Sequence, residues 1–139
     1  MANIYRTQLL VDGPRNVVVL ASGILDTSDL ASTVLLDPTV LVGTDNTGLI
    51  KAANLSLLKV VFTVEDALEV RLAWDATTPV VFDILTGRTK TDYHDISGLP
   101  PPKPALAGAT GKVLISTEGW AVGKILSFTV TAYFKKLGT

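Results

Sequence analysis

Between Leu68 and Trp74 every second residue is a large apolar one. Leu68, Val70, Leu72 and Trp74 fall on one side, and Glu69, Arg71, Ala73 and Asp75 on the other. A period of two belongs to an extended strand with one buried face. The preceding run repeats the pattern, with Leu58, Val60, Phe62 and Val64 opposite Leu57, Lys59, Val61 and Thr63. Glu65-Asp66 stands between the two runs, which predicts a hairpin with a short turn.

The same period recurs near the end of the chain. Leu126, Phe128, Val130, Ala132 and Phe134 alternate with Ser127, Thr129, Thr131 and Tyr133, so one face is core and the other is hydroxyl-rich. Lys112 to Thr117 reads as the other arm of a second hairpin, joined through Glu118 to Gly123. Ile4 to Val11 and Asn16 to Ile24 read as strands turned by Asp12-Gly13-Pro14. Pro79 to Leu85 reads as a further strand, and Val34 to Val42 as another, interrupted by Asp37-Pro38. Thr27 to Thr33 is the one stretch suited to a helical turn, with Thr27 or Ser28 as its cap. These elements predict an all-β fold: a single domain over residues 1–139, an antiparallel β-sandwich of jelly-roll-like form with seven or eight strands.

Residues 86–111 break the strand pattern. They hold Gly87, Gly98, Gly108 and Gly111, the stiff run Pro100-Pro101-Pro102, and Pro104. A loop of this length is uncommon in a compact domain. It reads as one long Pro/Gly-rich loop: a plain surface loop, an extended arm that reaches a neighbouring subunit, or a binding loop for another ligand.

The composition favours association over chemistry. A chain of 139 residues suits one domain. Apolar residues make up 47%, and the mean hydropathy is +0.41. Surplus apolar surface of this kind usually ends in an interface. The net charge of −1 does little to hold copies apart. Basic residues form no block or stripe along the sequence, so direct nucleic-acid binding is not expected. With no cysteine, disulfides, thiolate metal sites and cysteine nucleophiles are excluded. Met1 to Arg6 has no signal-peptide pattern, and Val17 to Leu25 is too short to span a bilayer. Synthesis in the cytoplasm and no membrane partner are the expectation.

Motifs for catalysis are weak. His94 is the single histidine, within Asp92-Tyr93-His94-Asp95. It lacks a second His or Cys for a transition-metal site, and no G-x-S-x-G elbow supplies a nucleophile for it. A polar loop histidine is the simpler reading, and a hydrolase built on His94 ranks last. Gly108-Ala109-Thr110-Gly111-Lys112 imitates a phosphate loop, but Leu106 and Val113 stand where glycine and Ser/Thr are required, and a strand follows. Asp26 and Asp29 are too few for calcium and read as turn formers. Trp74 belongs to the buried face, whereas Trp120 lies in a turn and is the better candidate for stacking on a sugar. Asn54-Leu55-Ser56 matches a glycosylation acceptor without a secretion signal. No enzyme activity, metal or cofactor is expected.

Four stretches carry a resemblance. They are Asp12-Gly13-Pro14-Arg15-Asn16-Val17-Val18-Val19; Gly23-Ile24-Leu25-Asp26-Thr27-Ser28-Asp29; Leu72-Ala73-Trp74-Asp75-Ala76-Thr77-Thr78-Pro79; and the segment from Gly108 to Trp120 with the strand after it. Together, over about residues 11–136, they resemble a family of small virion structural proteins of tailed bacteriophages. The resemblance implies a capsid decoration (cement) protein on the outside of the phage head. Its partners would be the major capsid protein and copies of itself, with a trimer preferred. The segment from Thr89 to Pro104 departs from that pattern. Tyr93, His94, Pro100, Pro101, Pro102, Pro104 and Trp120 are the candidate interface residues. Met1 to Tyr5 and Leu137 to Thr139 are candidate bridging ends. The alternatives are a tail or head–tail joining component, and a carbohydrate-binding module using Trp120.

Overall fold

The computed structural model of the chain describes residues 3–41, 54–102 and 106–137. Among them are nine strands: β1 (Ile4–Asp12), β2 (Asn16–Leu25), β3 (Thr33–Leu36), β4 (Asn54–Val64), β5 (Glu69–Trp74), β6 (Val80–Leu85), β7 (Arg88–Asp92), β8 (Val113–Glu118) and β9 (Leu126–Leu137). They form two antiparallel sheets, a five-stranded one in the order β1-β2-β9-β4-β7 and a four-stranded one in the order β3-β8-β5-β6. The fold is an all-β sandwich.

The core follows from the period-two pattern. Val17, Val19, Ala21 and Leu25 of β2 face inward beside Phe128, Val130, Ala132 and Phe134 of β9. Val70, Leu72 and Trp74 of β5 and Val113 and Ile115 of β8 meet them from the other sheet. Phe134 has no exposed surface, so its truncation to Ala should cost about 3–5 kcal/mol. Trp74 is buried as its register predicts and stacks on Phe82 with ring centroids 4.1 Å apart. In β4 the phase changes once. The register slips between Leu57 and Lys59, so Leu55 and Leu57 share the buried side with Val60, Phe62 and Val64. The single face expected for Leu58 to Val64 therefore holds only from Val60 onward, because a bulge adds one residue to the strand.

The β1–β2 hairpin is present as expected, closed by the Gly13 N–H on the Asn16 carbonyl at 2.9 Å. The other two predicted hairpins are corrected. β4 and β5 lie in different sheets, and so do β8 and β9. The turn at Glu65-Asp66 passes between the layers, with the Leu68 N–H on the Glu65 carbonyl at 3.1 Å. Alternation fixes which side of a strand is buried. Two successive strands satisfy it by pairing edge to edge or by facing each other across the roughly 10 Å between stacked sheets. β4 has both edges filled, by β9 and β7, so β5 faces it instead.

Thr27 to Thr33 forms no helical turn. The Asn3 side chain accepts the N–H groups of Asp26 and Thr27 at 2.8 and 3.0 Å and holds this segment in bends. β3 is short, and a one-turn 3-10 helix, Pro38–Val40, follows it behind an Asp37 cap. Burial pushes the Asp37 carboxyl up, but the Thr39 N–H and hydroxyl and the Lys112 charge outweigh that and hold it below the usual carboxylate range. Val42, the last residue of the strand predicted here, lies outside the described residues, as do Met1, Ala2, Gly138 and Thr139.

The described part of residues 86–111 is not one extended loop or arm. It contains β7, which pairs along β4 from Lys59↔Asp92 to Thr63↔Arg88. The chain then makes a one-turn 3-10 helix, His94–Ile96, and returns to the sheet through a Leu57↔Leu99 bridge. At the far end the Thr77 N–H reaches the Ala107 carbonyl at 2.9 Å, and the Thr110 hydroxyl reaches Asp75 at 2.6 Å. The open edge of β4 supplied backbone partners that no loop in water would match, which is why a polar run, Arg88 to Asp92, is a strand.

Candidate functional site

Tyr93 ends β7 and turns inward. Its N–H donates to the Leu58 carbonyl at 2.7 Å, and its hydroxyl donates to Asp83 of β6 at 3.3 Å. Burial pushes the Tyr93 phenol up, and the neighbouring Asp83 charge adds to this. His94 is exposed. Its N–H and ring Nδ1 lie 2.9 and 2.5 Å from one oxygen of Asp92. The backbone N–H of His94, then its ring, hold Asp92 below the usual carboxylate range. This is a local turn closed on itself, with the ring nitrogen nearest to Asp92 already occupied.

Pro100 is exposed, and Pro101 and Pro102 are half-buried, directly after the Leu99 bridge. Pro104 lies outside the described residues. Trp120 is half-buried against the core at the β8–β9 connection. Its indole Nε1–H donates to the Lys124 carbonyl at 2.9 Å, and its N–H donates to Asp29 at 3.0 Å. The ring thus props its own loop. Among the described residues no hydrogen bond or ring contact joins Trp120 to Tyr93 or His94, so the sequence candidates do not converge on one site.

The feature that sequence reasoning missed is the edge strand β1. Among the described residues it pairs with β2 alone, and its Leu9, Leu10 and Val11 are 45%, 46% and 48% exposed. Among the described residues, two of the other edges are short or charged, and the third, β6, also exposes apolar residues, Val81 at 44% and Ile84 at 53%. β3 spans only four residues. β7 is short and carries Arg88, Lys90 and Asp92. β6 is bulged and holds the half-buried Asp83. Short length, charge and bulges are the usual guards against strand addition. β1 is nine residues long, with one bulge between Leu9 and Val11 and an apolar end. The run Leu9-Leu10-Val11 was the available signal, because three successive apolar residues cannot all face one core.

Among the described residues, no group of three or more His, Asp or Glu side chains is arranged to hold a metal ion, and no helix is long and apolar enough to cross a membrane. An open cleft lies between the β4–β5 turn and β9, lined by Thr63, Glu65, Asp66, Arg88 and Ser127. Within it Glu65 already accepts the Ser127 hydroxyl at 2.9 Å. Compared with known proteins, the chain matches no family model and no curated protein sequence.

Proposed function

We propose that this chain is a structural component of a tailed-phage particle, a capsid decoration protein that assembles with copies of itself and with the shell. The observation that carries the assembling part is the β1 edge. Among the described residues its outward backbone groups have no neighbouring strand in the sheet, and Leu9, Leu10 and Val11 leave apolar surface beside them. Such an edge is a template for another chain. We place the contact between copies there. The phage part is supported by the resemblance in the four stretches named above.

The strand order adds an analogy of fold. Without β1, the sheets are β2-β9-β4-β7 and β3-β8-β5-β6. We read this as a jelly roll with one strand added, an architecture used by viral capsid and lectin domains. Fold alone does not choose between those uses. The Trp120 indole Nε1–H is committed to its own loop, which favours the capsid use over the lectin one.

Phage particles made without this chain test the reading. They should form but lose heat tolerance, and adding the purified chain should restore it. Particles as robust as the wild type would overturn the decoration role. Labelling found on the tail or neck instead of the head would make the chain a tail or joining component. Light scattering of the chain with Leu10→Lys should show fewer oligomers than the wild type, and an unchanged distribution would remove β1 from the self-contact.

A further inference from the structure

The outer face of the five-stranded sheet gathers cations that are scattered in sequence. Residues directly opposite in neighbouring strands share a face. One row across all five strands runs Arg6, Ser22, Thr129, Thr63, Arg88. The next runs Gln8, Leu20, Thr131, Val61, Lys90. The third runs Val11, Val18, Tyr133, Lys59, Asp92, with an apolar residue at its β1 end. Lys135 continues the face along β9. Asp92 is the one carboxylate in these rows; it accepts the His94 N–H and its charge faces Lys59, while Glu65 and Asp66 border the face at the cleft beside Arg88. Arg6, Arg88 and Lys90 are exposed and have no ion-pair partner among the described residues. A chain of net charge −1 thus carries a cationic sheet face with a hydroxyl centre.

We infer that this face docks on an acidic protein surface. Opposite charge across the contact would steer and orient the pair, and the Ser and Thr hydroxyls between the arginines supply donors to carboxylates. A single-stranded nucleic acid would need exposed aromatic rings on which to stack. The one ring in these rows, Tyr133, is half-buried with the Lys59 ammonium 4.5 Å from its centroid. Strand spacing sets the face at about 19 Å across and about 20 Å along the strands. That is near 400 Å², about half of the roughly 800 Å² per partner of a stable interface. Each contact is therefore weak, and the arrangement gains strength only when many copies dock together. The inference deepens the assembly reading by naming the chemistry of the partner surface.

The test uses the full chain on immobilised poly-L-glutamate, with a thymidine oligonucleotide of about 15 nucleotides as the competing class. The wild type should be retained on polyglutamate at about 0.01 M salt and released by about 0.15 M. Arg6→Glu with Lys90→Glu should weaken retention about 10-fold, and Lys124→Glu, away from the face, less than about twofold. Arg88→Gln with Lys90→Gln, confined to edge strand β7, gives a second measure should the reversal disturb folding. No retention of the wild type, equal loss with Lys124→Glu, or tighter binding to the oligonucleotide would each overturn the inference. Because no particle enters this experiment, its failure is separable from failure of the decoration role.

Discussion

The Tyr93 hydroxyl donates to the Asp83 carboxylate and so ties the end of β7, at the margin of one sheet, to β6, at the margin of the other. The Thr91 hydroxyl reaches the same oxygen at 3.2 Å. Burial outweighs these hydrogen bonds, and the Asp83 carboxyl titrates above the usual range. The folded form therefore holds this proton more tightly than the unfolded chain, whose Asp titrates near pH 3.9. Asp83's contribution to stability is fully present below about pH 3.9 and is lost as pH rises through the raised folded value. Asp83→Asn keeps an acceptor oxygen for both hydroxyls and removes the charge. Its melting temperature should match or exceed that of the wild type at pH 7, with the advantage shrinking toward pH 4. An equal loss at both pH values would show that the carboxylate itself is needed.

Tyr93→Phe separates the hydrogen bond from the ring. The ring packs on the core, and the hydroxyl is half-buried beside Asp83. Loss of one net hydrogen bond should cost about 1 kcal/mol in denaturant unfolding. Tyr93→Ala, which also removes the packing, should cost about 3–5 kcal/mol if the ring behaves as a core aromatic. Similar costs for the two variants would assign the whole effect to the hydroxyl.

Two glycines of the β8–β9 connection make a matched pair. Gly119 and Gly123 have positive φ, 103° and 86°. A Cβ on Gly119 would fall against the Ala67 carbonyl oxygen, closer than real Cβ contacts allow, whereas a Cβ on Gly123 meets nothing within 4 Å. Gly123→Ala should cost only the backbone strain, about 1 kcal/mol. Gly119→Ala should cost more, because the clash is with backbone at the neighbouring inter-sheet turn, where Ala67 itself has φ of 70°. Thermal melts of the two variants measure the difference, and equal melting temperatures would show that the two crossings can move apart.

The alternating residues made the core legible before the structure. The inward sets of β5 and β9 are the ones the sequence marks, down to Trp74. The pairing of strands was not legible, because a turn such as Glu65-Asp66 serves a hairpin and an inter-sheet crossing equally well. β7 was hidden for a different reason. Arg88-Thr89-Lys90-Thr91-Asp92 has no apolar face, and only the vacant edge of β4 makes it a strand. The candidate interface suffered from the same blindness to tertiary context. Tyr93 and Trp120 are aromatics in turns, which reads as exposure until Asp83 and the Lys124 carbonyl are seen to engage them. The cationic face has no sequence signature, since Arg6 and Arg88 become row-mates only through three intervening strands.

Asp29 ties the β2–β3 connection to the β8–β9 connection. It accepts the Thr117 hydroxyl at 3.1 Å and the Trp120 N–H at 3.0 Å, while the Leu30 N–H donates to that same Thr117 hydroxyl at 2.7 Å. Asp29→Ala leaves a backbone N–H and a buried hydroxyl short of an acceptor, at about 1–3 kcal/mol. Trp120 fluorescence should report a wetter indole in this variant. Asp29→Asn, which keeps an acceptor oxygen, should recover most of the loss. Failure of Asn to recover it would make the charge, and not the hydrogen bonds, the element that holds Trp120.

Lys136 continues the buried face of β9 after Phe134, and its side chain has 0% exposure where it pairs with Asp12 at the end of β1. Both residues take part in further interactions. The pair is the polar closure of an otherwise apolar row, and it fastens the edge strand to the centre of its sheet. Taking two charges out of water offsets much of their attraction, so replacing the lysine by an apolar side chain of similar length need not destabilise. Removing the carboxylate alone is different, because the buried ammonium loses the opposite charge that Asp12 supplies, whatever its further interactions. Asp12→Ala should therefore cost more than Lys136→Met. The double variant should be more stable than Asp12→Ala alone. Urea unfolding midpoints measured at constant m-value decide the order. If Lys136→Met proves as costly as Asp12→Ala, the ammonium contributes to stability through its further interactions as much as through Asp12.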